Sequence, residues 1–163
     1  MNSNEIVAVF RAVVRDHYLD MAGRVGRRDF WLFALGWFVV ILIAGVLGSL
    51  LHIEAIGTLV NLALLLPIAG MCARRIQDTG NDGKLVWIWV AMAAFYGFLS
   101  LLTLLKGPLV LLTALYFLFS ITHLVGLILF VLTVILFAFC AQPGMPGKNP
   151  YGPPPQTRTA SKA

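Results

Sequence analysis

Four apolar runs, each bounded by polar residues, organise this sequence. Residues 30–50 give 21 uncharged positions, 56–73 give 18, 85–105 give 21 and 109–141 give 33. A helix needs roughly 20 apolar residues to cross about 30 Å of hydrocarbon, so the first three runs predict membrane spans at about 30–50, 55–73 and 85–105. The last run would make one helix about 50 Å long, too much for one bilayer and too little for two spans with a turn. Counting back from the break at Gln142-Pro143 places a fourth span at about 119–141. Residues 109–116 then form an apolar segment at the far interface, where Tyr116 and Phe117 suit an aromatic belt.

The segments between the runs read differently. Asn2 with Glu5 has the spacing of a capping box, and Ile6, Val9, Phe10, Val13, Val14 and His17 recur at helical spacing among polar residues. This predicts an amphipathic first helix within 1–22, either lying in the membrane interface or packed on the protein's own cytoplasmic face. Ala44 with Gly48, and Gly45 with Ser49, are small pairs four apart that let another helix come close, within the same chain in preference to a dimer seam. Pro67 predicts a kink in the second span. Between spans two and three lies the polar stretch Arg74-Arg75-Ile76-Gln77-Asp78-Thr79-Gly80-Asn81-Asp82-Gly83-Lys84, whose Gly80 suits a helix end and whose Asn81-Asp82-Gly83 suits a tight turn. Most of the prolines fall from Gln142 onward, which predicts an extended or disordered tail over 142–163. The expected fold is therefore all-α and polytopic, with a transmembrane domain over 23–141.

Composition agrees. The chain is 60% hydrophobic and 12% charged, against about 25% charged in soluble domains. A net charge of +5 raises the possibility of a nucleic-acid binder, but the basic residues flank apolar runs and line no single soluble face, so no nucleic-acid partner is expected. Cys72 and Cys140 have no metal-ligand spacing and read as reduced apolar fillers. With four spans, Arg11, Arg15, Arg24, Arg27, Arg28, Arg74, Arg75, Lys84, Lys148, Arg158 and Lys162 fall on one side and Lys106 alone on the other. The positive-inside rule makes that side, with both termini, cytoplasmic in an inner membrane.

Three short motifs stand on that basic side: Gly23-Arg24-x-x-Arg27-Arg28-Asp29-Phe30-Trp31, Arg74-Arg75-x-x-Asp78-Thr79-Gly80, and Gly144-x-x-Gly147-x-Asn149-x-Tyr151-Gly152-Pro153-x-Pro155. In this order they resemble the signatures of the YhaH-like family of small bacterial inner-membrane proteins. Gln77 stands where that family commonly has histidine. The resemblance implies a membrane location and, because those proteins are of unknown function, no activity.

Asp78-Thr79-Gly80 spells the aspartic-protease tripeptide, but that mechanism needs two carboxylates sharing a proton and the triplet occurs once. Beside arginine, Asp78 is expected to stay ionised as a charge partner. A calcium loop at Asp78, Asn81 and Asp82 lacks the required glycine and distal glutamate. His123 is the one ionisable residue inside a span and reads as a water-reaching imidazole near the outer end. Asn61, Thr103, Thr113, Thr122 and Thr133 are expected to bond between helices or to a preceding carbonyl. Neither an enzyme nor a cofactor or metal site is expected. The candidate interaction residues are Arg24, Arg27, Arg28, Trp31, Arg74, Arg75, Asp78, Asn149 and Tyr151. The first three arginines and Trp31 would share one helical face, Asp78 would hold one arginine, and the rest would meet the phosphates of anionic membrane lipids. The expected role is structural, interaction or lipid-binding, as a homo-oligomer or with another membrane protein; the alternative is a small transport or channel component acting as an oligomer.

Overall fold

The computed structural model describes residues 3–53, 55–102 and 112–155, the side chains of 112–116 excepted. Five helices follow one another: α1 (Ser3–Asp16), α2 (Arg27–Leu50), α3 (Ala55–Asp78), α4 (Leu85–Leu102) and α5 (Leu112–Ala141). Four of them, α2 to α5, carry stretches long and apolar enough to cross a membrane. Each packs on its neighbour in sequence, and α3 also touches α1 and α5, which makes α3 the central helix.

The outward faces are what a lipid solvent asks for. Phe38, Leu42, Ile43 and Val46 on α2, Phe98 on α4, and Leu124, Leu127 and Phe130 on α5 are all exposed. Lipid tails are as apolar as these side chains, so their exposure costs nothing there, and helix association rests on close packing and interhelical hydrogen bonds. The small residues of α2 serve that end inside the chain, as their spacing predicts. A Cβ on Gly57 of α3 would stand 3.5 Å from the Gly45 Cα, and Ala44 and Gly48 are buried. Between α4 and α5, Trp89 Nε1 donates to Thr133 Oγ1 at 2.8 Å, while Thr133 and Thr122 also bond back to the carbonyls of Leu129 and Leu118. Asn61, in contrast, is exposed on α3.

The densest core sits at one end of the bundle. Phe30, Phe33, Ile68, Met71, Cys72, Val86 and Cys140 are almost fully buried there. The apolar residues of α1 close it: Val9 and Val13 are buried, and Phe10 stacks on Phe33 with centroids 5.3 Å apart. His17, expected on the same stripe, is exposed and bonded to Asp20 at 2.7 Å. Cys72 and Cys140 are both free and buried.

Three boundaries differ from the hydropathy reading. Helix α3 does not stop at residue 73 but carries Arg74, Arg75, Ile76, Gln77 and Asp78 as its last, buried turn. Helix α5 runs unbroken from Leu112 to Ala141, so 112–116 are helical and continuous with Phe117–Ala141, the stretch long and apolar enough to cross a membrane; 109–111 lie outside the described residues. The tail from Gln142 to Gly152, expected to be extended or disordered, is folded back onto the bundle by hydrogen bonds. Asn2, Thr103 and Lys106 lie outside the described residues, and Glu5 is engaged by Arg28.

Candidate functional site

The last turn of helix α3 carries three charged residues, and around two of them, Arg75 and Asp78, the rest of the chain supplies partners that the helix's own backbone cannot. Arg75 is fully buried and Asp78, one turn on, has a side chain 5% exposed. Arg75 Nη1 donates to Asp78 Oδ2, its Nε to the Cys140 carbonyl at 2.8 Å, and its Nη2 to the Gln142 carbonyl. Cys140 lies in the last turn of α5, where carbonyls lack intrahelical partners and carry the negative end of the helix dipole. Arg75 therefore caps α5 from α3. A further donation from Nη1 reaches the Val25 carbonyl at 3.4 Å.

The second oxygen of Asp78 is taken by Arg24. Its Nε donates to Asp78 Oδ1 at 2.8 Å, Nη1 to the carbonyls of Gly147 at 2.7 Å and Gly152 at 3.2 Å, and Nη2 to the Met145 carbonyl. The Arg24 side chain is 2% exposed. Two guanidinium forks thus share one carboxylate and spread their remaining N–H groups over tail carbonyls, the planar multidentate use to which arginine is suited. We call this arrangement the clasp.

The tail is shaped to fit it. Met145 N donates to the Asp78 carbonyl at 2.9 Å, Asn149 Nδ2 to the Gln77 carbonyl at 2.8 Å, and Asn149 Oδ1 accepts from Tyr151 N at 2.9 Å. Asn149 and Gly152 exchange two backbone bonds of 3.1 Å each, closing a small turn whose carbonyls face Arg24. Gly144 lies directly against the Asp78 carboxylate, and a Cβ there would overlap it. Gln77 Nε2 ties in the loop through the Met21 carbonyl at 3.1 Å.

The candidate residues part company here. Arg24, Arg75, Asp78 and Asn149 are gathered in the clasp, with Tyr151 at its edge through its backbone N–H. Asp78 holds two arginines where one was expected. The common helical face of Arg24, Arg27, Arg28 and Trp31 does not form, because α2 starts only at Arg27. Gly23, at φ 107°, and Gly26, extended at φ −67° and ψ 154°, turn the preceding loop inward and bury Arg24. Arg27 is exposed; Arg28 forks onto Glu5 of α1 at 3.0 and 2.9 Å with its side chain 61% exposed. Trp31 is half-exposed beneath Arg28 and packs edge-on to Phe30 at 5.2 Å.

Arg74 is the odd member. It is 8% exposed, yet it meets only the Gly70 carbonyl at 3.4 Å and the Met71 sulfur at 3.2 Å. Beyond the clasp, the α3–α4 turn is held by Asn81 Nδ2 to Thr79 Oγ1 at 2.9 Å and by the exposed Lys84–Asp82 pair at 2.7 Å. The hydrogen bond from Lys84 pulls the Asp82 carboxyl below its ordinary range and raises the lysine. On α5, exposed His123 bonds through Nδ1 to the Phe119 carbonyl at 2.7 Å, a local contact on its own helix. Gly144, Gly147 and Gly152 stood in the third motif but not among the candidate interaction residues, and Met145 in neither; glycines set among prolines read as disorder until arginines are found facing their carbonyls.

Compared with known proteins, residues 18–153 match a family described as Protein of unknown function (DUF805). Inner membrane protein YhaI of Escherichia coli K12 is 32% identical over 91 residues, covering 55% of this chain and 75% of that protein. Uncharacterized protein YiiR of the same organism is 30% identical over 84 residues, covering 50% of this chain and 56% of its own length. No solved structure matches.

Proposed function

This chain belongs to the family of proteins of unknown function DUF805, and from that premise we propose that it is an inner-membrane protein with a structural and lipid-binding role, and not an enzyme. The observation that carries the reading is the division of labour among its arginines. Those of the clasp spend their donors on Asp78 and on backbone carbonyls, whereas Arg11, Arg15 and Arg27 remain exposed on α1 and at the start of α2. Both elements lie at the clasped end of the bundle, together with Lys84 and Lys148. By the positive-inside rule that end is cytoplasmic, and α1 lies at the interface with its arginines among anionic headgroups. Each such cation contributes about 1 kcal/mol beside an anionic surface, so the set outweighs any single contact.

The test is lipid retention by the full-length protein extracted from vesicles of phosphatidylglycerol and phosphatidylcholine and read by native mass measurement. Changing Arg11, Arg15 and Arg27 together to Gln is expected to cut retained phosphatidylglycerol about a hundredfold, from about 3 kcal/mol lost. Unchanged retention overturns the lipid-binding reading, and a ring-sized oligomer in the same spectra favours a transport component instead.

A further inference from the structure

A cavity of about 170 Å³ opens between α1, the start of α2 and the last turns of α3. Its walls include Val13, Met71, Arg74 and Asp29, with exposed His17 beside them. Arg74 and Asp29 both line it, yet among the described residues neither is paired with the other or with a different ion. The Arg74 guanidinium has one long bond to a carbonyl and one to a sulfur, which leaves most of its N–H groups unused by any strong acceptor. Asp20 attracts this cation from beyond ion-pair distance, and a cation less than a tenth exposed remains costly unless an anionic group meets it directly.

The opposite charge is the second half of the observation. Asp29 sits in the first turn of α2, so the cavity presents a cation and an anion held apart on different helices. The loop before α2 adds Asp20, whose carbonyl presses on α3 at Gly70, one turn before Arg74, and whose carboxylate is bonded to His17. A simple anion would gain Arg74 but face the Asp29 carboxylate in the same cavity. A molecule carrying both charges satisfies both walls.

We propose that this cavity binds a small zwitterionic phosphate ester of the ethanolamine type, its phosphate on Arg74 and its primary ammonium on Asp29. The cavity has room for a headgroup-sized molecule that spans from Arg74 to Asp29. A primary ammonium donates hydrogen bonds to the Asp29 carboxylate, which a trimethylammonium cannot do. The site therefore distinguishes ethanolamine from choline esters. It is separate from the exposed arginines and does not depend on the anionic-surface reading.

The experiment uses the full-length protein extracted from vesicles of equal phosphatidylethanolamine and phosphatidylcholine, again read by native mass measurement. Phosphatidylethanolamine is expected to be retained over phosphatidylcholine by about tenfold, the value of one charge-assisted hydrogen bond. Arg74→Ala and Asp29→Asn are each expected to abolish that preference while leaving phosphatidylglycerol retention unchanged in the separate vesicles of phosphatidylglycerol and phosphatidylcholine. Titration with free O-phosphoethanolamine separates the sources: displacement of the lipid identifies a soluble ligand's site, and none identifies a headgroup's. Asp29→Asn, which keeps size and shape, carries the test if Arg74→Ala does not fold. Equal retention of the two lipids with no effect of free O-phosphoethanolamine, or a preference that survives Asp29→Asn, overturns the proposal.

Discussion

Replacing Asp78 by Asn removes the one carboxylate that two buried guanidinium groups share. The side chain keeps its shape and can still accept one hydrogen bond, so packing at Gly144 is conserved and the change is mainly one of charge. Removing one partner of a buried ion pair costs about 3–5 kcal/mol, because the other is left uncompensated. Arg75 keeps the carbonyls of Cys140, Gln142 and Val25, and Arg24 keeps those of Gly147, Gly152 and Met145. The loss is therefore at the low end, about 3 kcal/mol, which for a chain of this length lowers the melting temperature by about 6–12 °C. Thermal unfolding in detergent measures it, and limited proteolysis at Lys148 reports whether the tail has left. A melting temperature within about 2 °C of the parent, with the tail still protected, would mean that the carbonyls alone hold the arginines. The clasp would then be a consequence of the fold and not a cause of it.

Further outcomes follow from other contacts. Gly144→Ala is expected to release the tail, measured as faster cleavage at Lys148, because the added methyl group overlaps the Asp78 carboxylate. Thr133→Val removes the acceptor of Trp89 Nε1 and should cost about 0.6–1.7 kcal/mol in unfolding experiments, with no change in lipid retention. Lys84→Gln should raise the Asp82 carboxyl back toward its ordinary range in an NMR titration. A depressed carboxyl adds stability above its ordinary value and loses it as pH falls through the depressed one; because this pair is fully exposed, no shift in melting temperature should accompany the change. Cysteines placed at the exposed positions Asn81 and Lys148 should share one labelling pattern, silent from outside whole cells; reaction at only one would break the four-span topology.

The four long apolar helices were legible because length and apolarity are what a bilayer requires of a crossing helix. What hydropathy could not show was where a helix ends once its charges find partners. Arg74, Arg75 and Asp78 look like a loop to any apolar window, but the helix runs on through them, with Asp78 neutralised by Arg24 and Arg75 and with Arg74 bonded back along its own helix. The spacing of Arg24, Arg27, Arg28 and Trp31 misled for a related reason: helical periodicity assumes a helix, and Gly26 delays it until Arg27. That Asp78 pairs with arginine was readable from their proximity in sequence. That Gly147 and Gly152, 123 and 128 positions beyond Arg24, complete the arrangement was not, since the acceptors are backbone carbonyls and every residue has one.

Arg24 reaches Gly147 and Gly152 across 123 and 128 positions of sequence. Contacts of such separation form late, after the loop-closure entropy of everything between them has been met. In a chain made from its N-terminus, Arg24 emerges early and the carbonyls that seat it emerge after the last span. During that interval Arg75 can already cap α5 and pair with Asp78, but Arg24 has only Asp78 to bind and lacks the carbonyls of Met145, Gly147 and Gly152. The segment from Met145 to Gly152 thus adds stabilising contacts that a chain interrupted after α5 would lack.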